Sequence, residues 1–258
     1  MTARRFLVVP MLALALGLAA CASSGSGTGP GSDAAKDAAH ANVQLGVAYI
    51  QQGNLALAKE KLERAQKQAP RSPEVHTALA FLNEKLDLPQ KAEEQYELAT
   101  KLAPANADIK NNYAVFLCRN GKVDKAIQQF ESAAKDRLYS TPWAALANAA
   151  VCLRGAKRGP EAIRYLEEAV KIRPDYAAAV FELADLQLEL GAAAAAGKVV
   201  DSYLSIGIVS PDVLLVGVRA ALARDDKPAA QVYVRRLRRD FPDTTQTKAL
   251  PQLLGEKG

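Results

Sequence analysis

The chain has 258 residues, with 33 lysines and arginines against 28 aspartates and glutamates and a formal net charge of +5. That surplus is too small and too dispersed for a protein held to nucleic acid by its charge, so no nucleic-acid partner is expected. The chain carries two histidines and three cysteines, with no Cys-x-x-Cys, Gly-rich phosphate loop, His-Glu-x-x-His or Gly-x-Ser-x-Gly; a non-enzyme without metal or cofactor is expected.

Residues 1–20 read as a signal peptide. Arg4 and Arg5 form a charged start, Phe6 to Gly17 is apolar, and the stretch is too short and too poorly flanked for a stable membrane-spanning helix. Leu18-Ala19-Ala20-Cys21 resembles the bacterial lipoprotein signal. The resemblance implies diacylglycerol on the Cys21 thiol, cleavage before Cys21 and acylation of the new amine. An ordinary signal cut after Ala20, leaving a free thiol, is the other reading. Several acyl chains hold a protein on a membrane durably, at about 0.8 kcal/mol per buried CH₂. Ala22, and no aspartate, follows Cys21; by the same resemblance this favours the outer membrane. Residues 21–38 are assigned to the lipidated cysteine and a leash. Its Gly/Ser-rich part, Ala22–Gly31 (ASSGSGTGPG), would span roughly 17 Å on average and at most about 35 Å.

From residue 39 to 244 a pattern returns every 34 residues. Gly46, Ala58, Ala65 and Pro70 are followed at fixed offset by Ala80, Ala92, Ala99 and Pro104, then by Ala114, Ala126 and Ala133. Each unit reads as helix A, a tight turn and helix B. Small residues stand where two helix backbones approach, and Tyr49 or Leu62 fill the space between hairpins. The fourth unit starts near Trp143 and arrives two residues late, so Tyr139–Pro142 carries a short insertion. The fifth loses the pattern at Tyr203, and the sixth is atypical, as a cap should be. The spacing matches the tetratricopeptide pattern. It predicts an all-α superhelical solenoid of about six hairpins, with residues 245–258 as a tail.

In hairpins of this pattern the concave wall comes mainly from helix A, at the second, fifth, ninth and twelfth positions. Unit one places His40, Val43, Val47 and Ile50 there; unit two, Glu74, Thr77, Phe81 and Glu84; unit three, Asp108, Asn111, Val115 and Cys118. The expected partner-binding groove is therefore Val43, Val47, Ile50, Thr77, Phe81 and Val115. An apolar strip on a cavity wall suits an amphipathic helix or an extended hydrophobic peptide. Some of these side chains packing between hairpins, with the phase off by one, is the alternative. Later units put Val151, Arg154, Phe181 and Asp185 at these positions, a more mixed surface.

Cys118 and Cys152 lie late in helix A of adjacent units. In an oxidising compartment they can pair; two separate buried thiols are the other reading. His40 and His76 lack a third ligand and read as exposed helix residues rather than a shared metal site. Arg235, Arg236, Arg238 and Arg239 read as a solvated face of the last helix, or as a contact for anionic head groups or an acidic partner.

A lipobox, a Gly/Ser leash and six such units together resemble the PilF/PilW family of type IV pilus biogenesis and stability lipoproteins. The resemblance rests on NVQLGVAYIQQGNLALAKEKLERA (42–65), NNYAVFLCRNGKVDKAIQQFESA (111–133) and VRRLRRDFPDT (234–244). It covers essentially the whole chain after the signal. It implies Cys21 as lipid anchor and a Cys118–Cys152 pair. It also implies a pilotin-like role: a lipid-anchored outer-membrane protein, facing the periplasm, that binds subunits of the outer-membrane secretin and promotes their localisation and multimerisation. A monomer is expected. The alternative is a periplasmic adaptor recruiting a protease or a peptidoglycan enzyme.

Overall fold

The computed structural model describes residues 30–255. The signal segment and Cys21 lie outside them. Among the described residues there are helices and no strands. Six antiparallel hairpins follow in chain order: α1 (Pro30–Gln51) with α2 (Leu55–Gln68), α3 (Pro73–Lys85) with α4 (Pro89–Leu102), and α5 (Ala107–Arg119) with α6 (Val123–Ala134). Then come α7 (Pro142–Gly155) with α8 (Gly159–Ile172), α9 (Ala177–Glu189) with α10 (Ala193–Ser205), and α11 (Pro211–Leu222) with α12 (Lys227–Asp240). Two short helices, α13 (Thr245–Lys248) and α14 (Leu250–Leu254), close the array. Contacts fall between neighbours in sequence and between helix A of adjacent hairpins, which is a superhelical solenoid.

Local chemistry writes each hairpin. The turn after helix A contains one residue in the left-handed region: Gly53, Asp87, Gly121, Lys157, Gly191 and Asp225, all with φ between +55° and +78°. Four of the five steps between them are equal, and the one from Gly121 to Lys157 is two residues longer and records the insertion. The insertion itself lengthens the link between α6 and α7. Prolines sit in the first turn of α3, α4, α7, α8, α11 and α12, where a missing N–H is harmless. Side chains of Asn54, Asn106 and Asp226 accept the orphan N–H groups of Leu57, Ile109 and Ala229.

Small residues set the close approach of each pair. A Cβ on Gly46 would lie 2.6 Å from Leu62 Cδ2, so α1 rests directly on α2. Ala58, Ala92, Ala126, Ala162, Ala196 and Ala230 repeat one position of helix B and are all buried. Tyr203 stands where units one to four carry alanine, yet it too is buried among Val200, Val213 and Val216. The fifth unit changes the size of a core residue and keeps its hairpin.

Both ends of the solenoid differ from expectation. Helix α1 begins at Pro30, inside the stretch assigned to the leash up to residue 38. Asp33-Ala34-Ala35-Lys36-Asp37-Ala38-Ala39 is a strong helix former, with Asp33 favourably placed in the first turn and paired to Lys36 at 3.2 Å. At the other end, residues 245–254 are a cap rather than a tail. Thr247 Oγ1 donates to the Phe241 carbonyl at 2.7 Å, and Leu250 is fully buried in the last core cluster.

Candidate functional site

One groove of about 530 Å³ opens on the concave side, walled by α1, α3 and α5. Val43 and Val47 enter it from α1, Thr77 and Phe81 from α3, and Val115 with Ile109 from α5. Val43 and Val47, and Thr77 and Phe81, are four residues apart and share a helix face, so α1 and α3 each contribute a short stripe to which α5 adds Val115. Thr77 donates its hydroxyl to the Pro73 carbonyl at 2.8 Å, which leaves its methyl as the part free to meet a ligand. Phe81 is partly exposed, and the Lys85 ammonium sits 5.3 Å from its ring centroid.

Charged groups frame these side chains. At the first rung Glu74 Oε2 lies 3.1 Å from His40 Nδ1. Lower in the groove Tyr96 donates its hydroxyl to Glu84 Oε1 at 2.7 Å, while Arg119 stands 3.6 Å from Glu84 Oε2. Burial, then the bond to Glu84, drives the Tyr96 pKa well above its ordinary value. The arrangement is an apolar floor with satisfied polar edges, suited to holding an apolar segment. Among the described residues no group of histidine, cysteine, aspartate and glutamate could hold a metal ion.

Ile50 does not belong to this groove. It is 4% exposed and packs into the first core cluster with Leu62, Leu79 and Leu82. The twelfth position points along the boundary between helix B and the next hairpin. Its equivalents show this: Glu84 reaches Tyr96 on helix B, and Cys118 reaches Cys152 in the next unit. An aliphatic side chain placed there sinks into the core. His76 is likewise not an exposed helix residue. It is 2% exposed, with Nδ1 2.7 Å from Gln95 Oε1 and Nε2 2.9 Å from the Pro70 carbonyl oxygen. Both ring nitrogens are engaged inside the fold, while His40 is on the surface. Period arithmetic gives a residue's place in the unit but not how far the next hairpin covers it.

Past Val115 the concave wall changes character. The ninth position continues as Val151, 51% exposed, then as Asp185 and Arg219. Asp185 is 8% exposed and accepts from Arg154 Nη2 at 2.6 Å on one side and from Arg219 Nη1 on the other. Arg154 also donates to Glu182 at 2.7 Å and to Glu189 Oε2 at 3.1 Å. Burial works against the charge of Arg154, but the bonds to Glu189, Asp185 and Glu182 outweigh it and raise the pKa. This ion network was not foreseen; a signal existed, since Asp185 and Arg219 are one period apart with opposite charge. Where the two regions meet, the Cys118 and Cys152 sulfurs are 2.14 Å apart, with Cα atoms 5.8 Å apart. No helix among the described residues is long and apolar enough to cross a membrane.

Models of the tetratricopeptide repeat match residues 43–107, 84–141 and 117–177, and a further one matches 153–206. The type IV pilus assembly protein PilF of Pseudomonas aeruginosa is 30% identical over 216 residues, spanning 83% of this chain and 86% of that protein. The solved structure of Pseudomonas aeruginosa PilF superposes with a TM-score of 0.64 at 29% identity, over 88% of this chain and 100% of that one. That of PilW, described as a widely conserved type IV pilus biogenesis factor, gives 0.63 at 27% identity, over 82% and 97%.

Proposed function

The chain belongs to the PilF/PilW family of tetratricopeptide-repeat proteins of type IV pilus biogenesis, and from that premise we propose that it is a non-catalytic, outer-membrane pilotin. In this reading acyl chains on Cys21 hold it at the membrane facing the periplasm. The groove of Val43, Val47, Thr77, Phe81 and Val115 takes an apolar segment of a secretin subunit. Binding escorts the subunit to the outer membrane and promotes assembly of the multimeric pore. The Cys118–Cys152 bridge fixes the third hairpin, one wall of the groove, against the fourth.

The observation that carries the reading is the groove's exposed apolar floor. A solenoid does not need partly exposed valines and a phenylalanine on its cavity wall, and such a surface gains by being covered. At about 10 Å between packed helices, α1 to α5 spans roughly 20 Å. That is the length of about six extended residues. A pore subunit exposes apolar strands of this size before it assembles, and masking one of them keeps it from premature pairing.

The test is the state of the outer-membrane secretin in cells with and without this protein, by membrane fractionation and by heat- and detergent-resistant multimers. Loss of multimers, or subunits stranded in the inner membrane without it, is the expected result. Multimers at normal abundance and location would move the function to a later step or to another partner.

A further inference from the structure

We propose that the outer face of α12, at the end of the solenoid far from the groove, is a docking surface for an anionic phospholipid bilayer. Helix α12 turns Tyr233, Val234 and Leu237 into the core. On its other side Arg235, Arg236, Arg238 and Arg239 surround Val232, which is 45% exposed. Asp240 pairs with Arg239 at 2.6 Å, and Arg236 also lowers the pKa of that carboxylate. Among the described residues Arg235 and Arg236 make no ion pair or side-chain hydrogen bond, in contrast to Arg154 and Arg158, which are engaged with carboxylates. Attraction to the helix C-terminus explains basic residues in the last turn, Arg238 and Arg239. It does not reach Arg235 and Arg236, a turn or more earlier.

The shape of the patch selects the occupant. The surface around Val232 is lined by α12 alone, whereas the concave groove has walls from three successive hairpins. On one flank Arg235 and Arg238 also border a concavity shared with Leu222 of α11 and Leu254 of α14. Around Val232, Arg236 and Arg239 no opposing wall is present to clasp an acidic peptide, but a plane of phosphates can lie there. Guanidinium groups pair phosphate bidentately, and an apolar side chain at their centre enters the head-group boundary. The patch lies in the sixth hairpin and the chain enters at the first. A bilayer held at α12 therefore lays the solenoid along the membrane, so that the groove does not project away from it.

The test uses the full chain and two vesicle preparations, phosphatidylcholine alone and phosphatidylcholine with one third phosphatidylglycerol. Any acyl anchor is common to wild type and variant, so their ratio isolates the patch. Anionic lipid should raise wild-type partitioning. Arg235→Gln and Arg236→Gln should each lower it about fivefold, and both effects should fade as salt is raised. Arg235 is exposed, Arg236 is half-buried, and neither is among the buried residues of α12, so circular dichroism should show an unchanged fold. A fluorophore on Val232→Cys should be quenched by nitroxide-labelled lipid on the anionic vesicles and not on the neutral ones. Equal partitioning on both vesicles, or no difference between wild type and the double variant, overturns the proposal. So does binding of an oligoglutamate peptide at α12 without preference for anionic lipid, which would assign the face to an acidic protein.

Discussion

The ninth position of helix A is Val47, Phe81 and Val115 in the first three hairpins and Asp185 and Arg219 in the last two. It is one geometric position with two outcomes. In the first half the side chains are apolar and partly exposed on the groove wall. In the second half the same rungs reach each other, and Asp185 ties α7, α9 and α11 together through Arg154 and Arg219. A wall whose charges are satisfied from within gains little from a partner, because a ligand would have to desolvate it. A wall of valine and phenylalanine gains from any apolar segment that excludes water. One solenoid thus divides its concave side into a receiving half and a braced half.

The division can be broken first at its seam. Cys118 and Cys152 close a loop of one repeat where the two halves meet. Replacing both by alanine should lower stability by about 3–4 kcal/mol on the loop-entropy account. Denaturant unfolding followed in each half should then show two transitions in place of one. Next is the braced half alone. Asp185→Ala leaves Arg154 and Arg219 facing each other without their shared carboxylate. About 2–3 kcal/mol should be lost, below the full value for a buried pair because both arginines are partly exposed. Urea unfolding measures it, and secretin binding should stay unchanged.

In the receiving half the effect should fall on binding instead. Phe81→Glu places a charge on the apolar floor and should weaken a secretin-derived peptide by about 2 kcal/mol or more at an unchanged melting temperature. Titration calorimetry with intact binding by this variant would remove the groove from the account. The smallest effect is at alkaline pH. Folded Tyr96 keeps its proton where an unfolded tyrosine, with a pKa near 10, has lost it. Its contribution is complete below about pH 10 and declines as pH rises further, by about 1.4 kcal/mol per pH unit for one proton. Tyr96→Phe should flatten the alkaline limb of the stability profile by that slope.

Much of this molecule was legible from the period. Six hairpins, the two-residue delay after Tyr139 and the apolar stripe at Val43, Val47, Phe81 and Val115 all follow from residues recurring at fixed offsets. What escaped depends on neighbours. Ile50 and Glu84 share a position, yet one is core and the other lines the groove, because Tyr96 offers Glu84 a hydroxyl and Leu62 offers Ile50 only carbon. His76 is buried because the Pro70 carbonyl and Gln95 arrive from other segments. Helix α1 could not be started correctly by period, since Pro30–Ala38 precedes the first repeat and owes its helix to local propensity. Leu250 lies beyond the last repeat, and only the open end of the sixth hairpin gives it a core to enter.

The contacts run from each helix to the next and to the neighbouring hairpin. Such a chain has low contact order, and its parts can acquire structure in the order in which they are made. Threaded from its N-terminus, the groove would have all its walls once α5 and α6 have emerged, while the ion-paired rungs of α9 and α11 are still to come. Only the Cys118–Cys152 bond has to wait for the fourth hairpin and an oxidant. The receiving surface is built early, and the brace is added behind it.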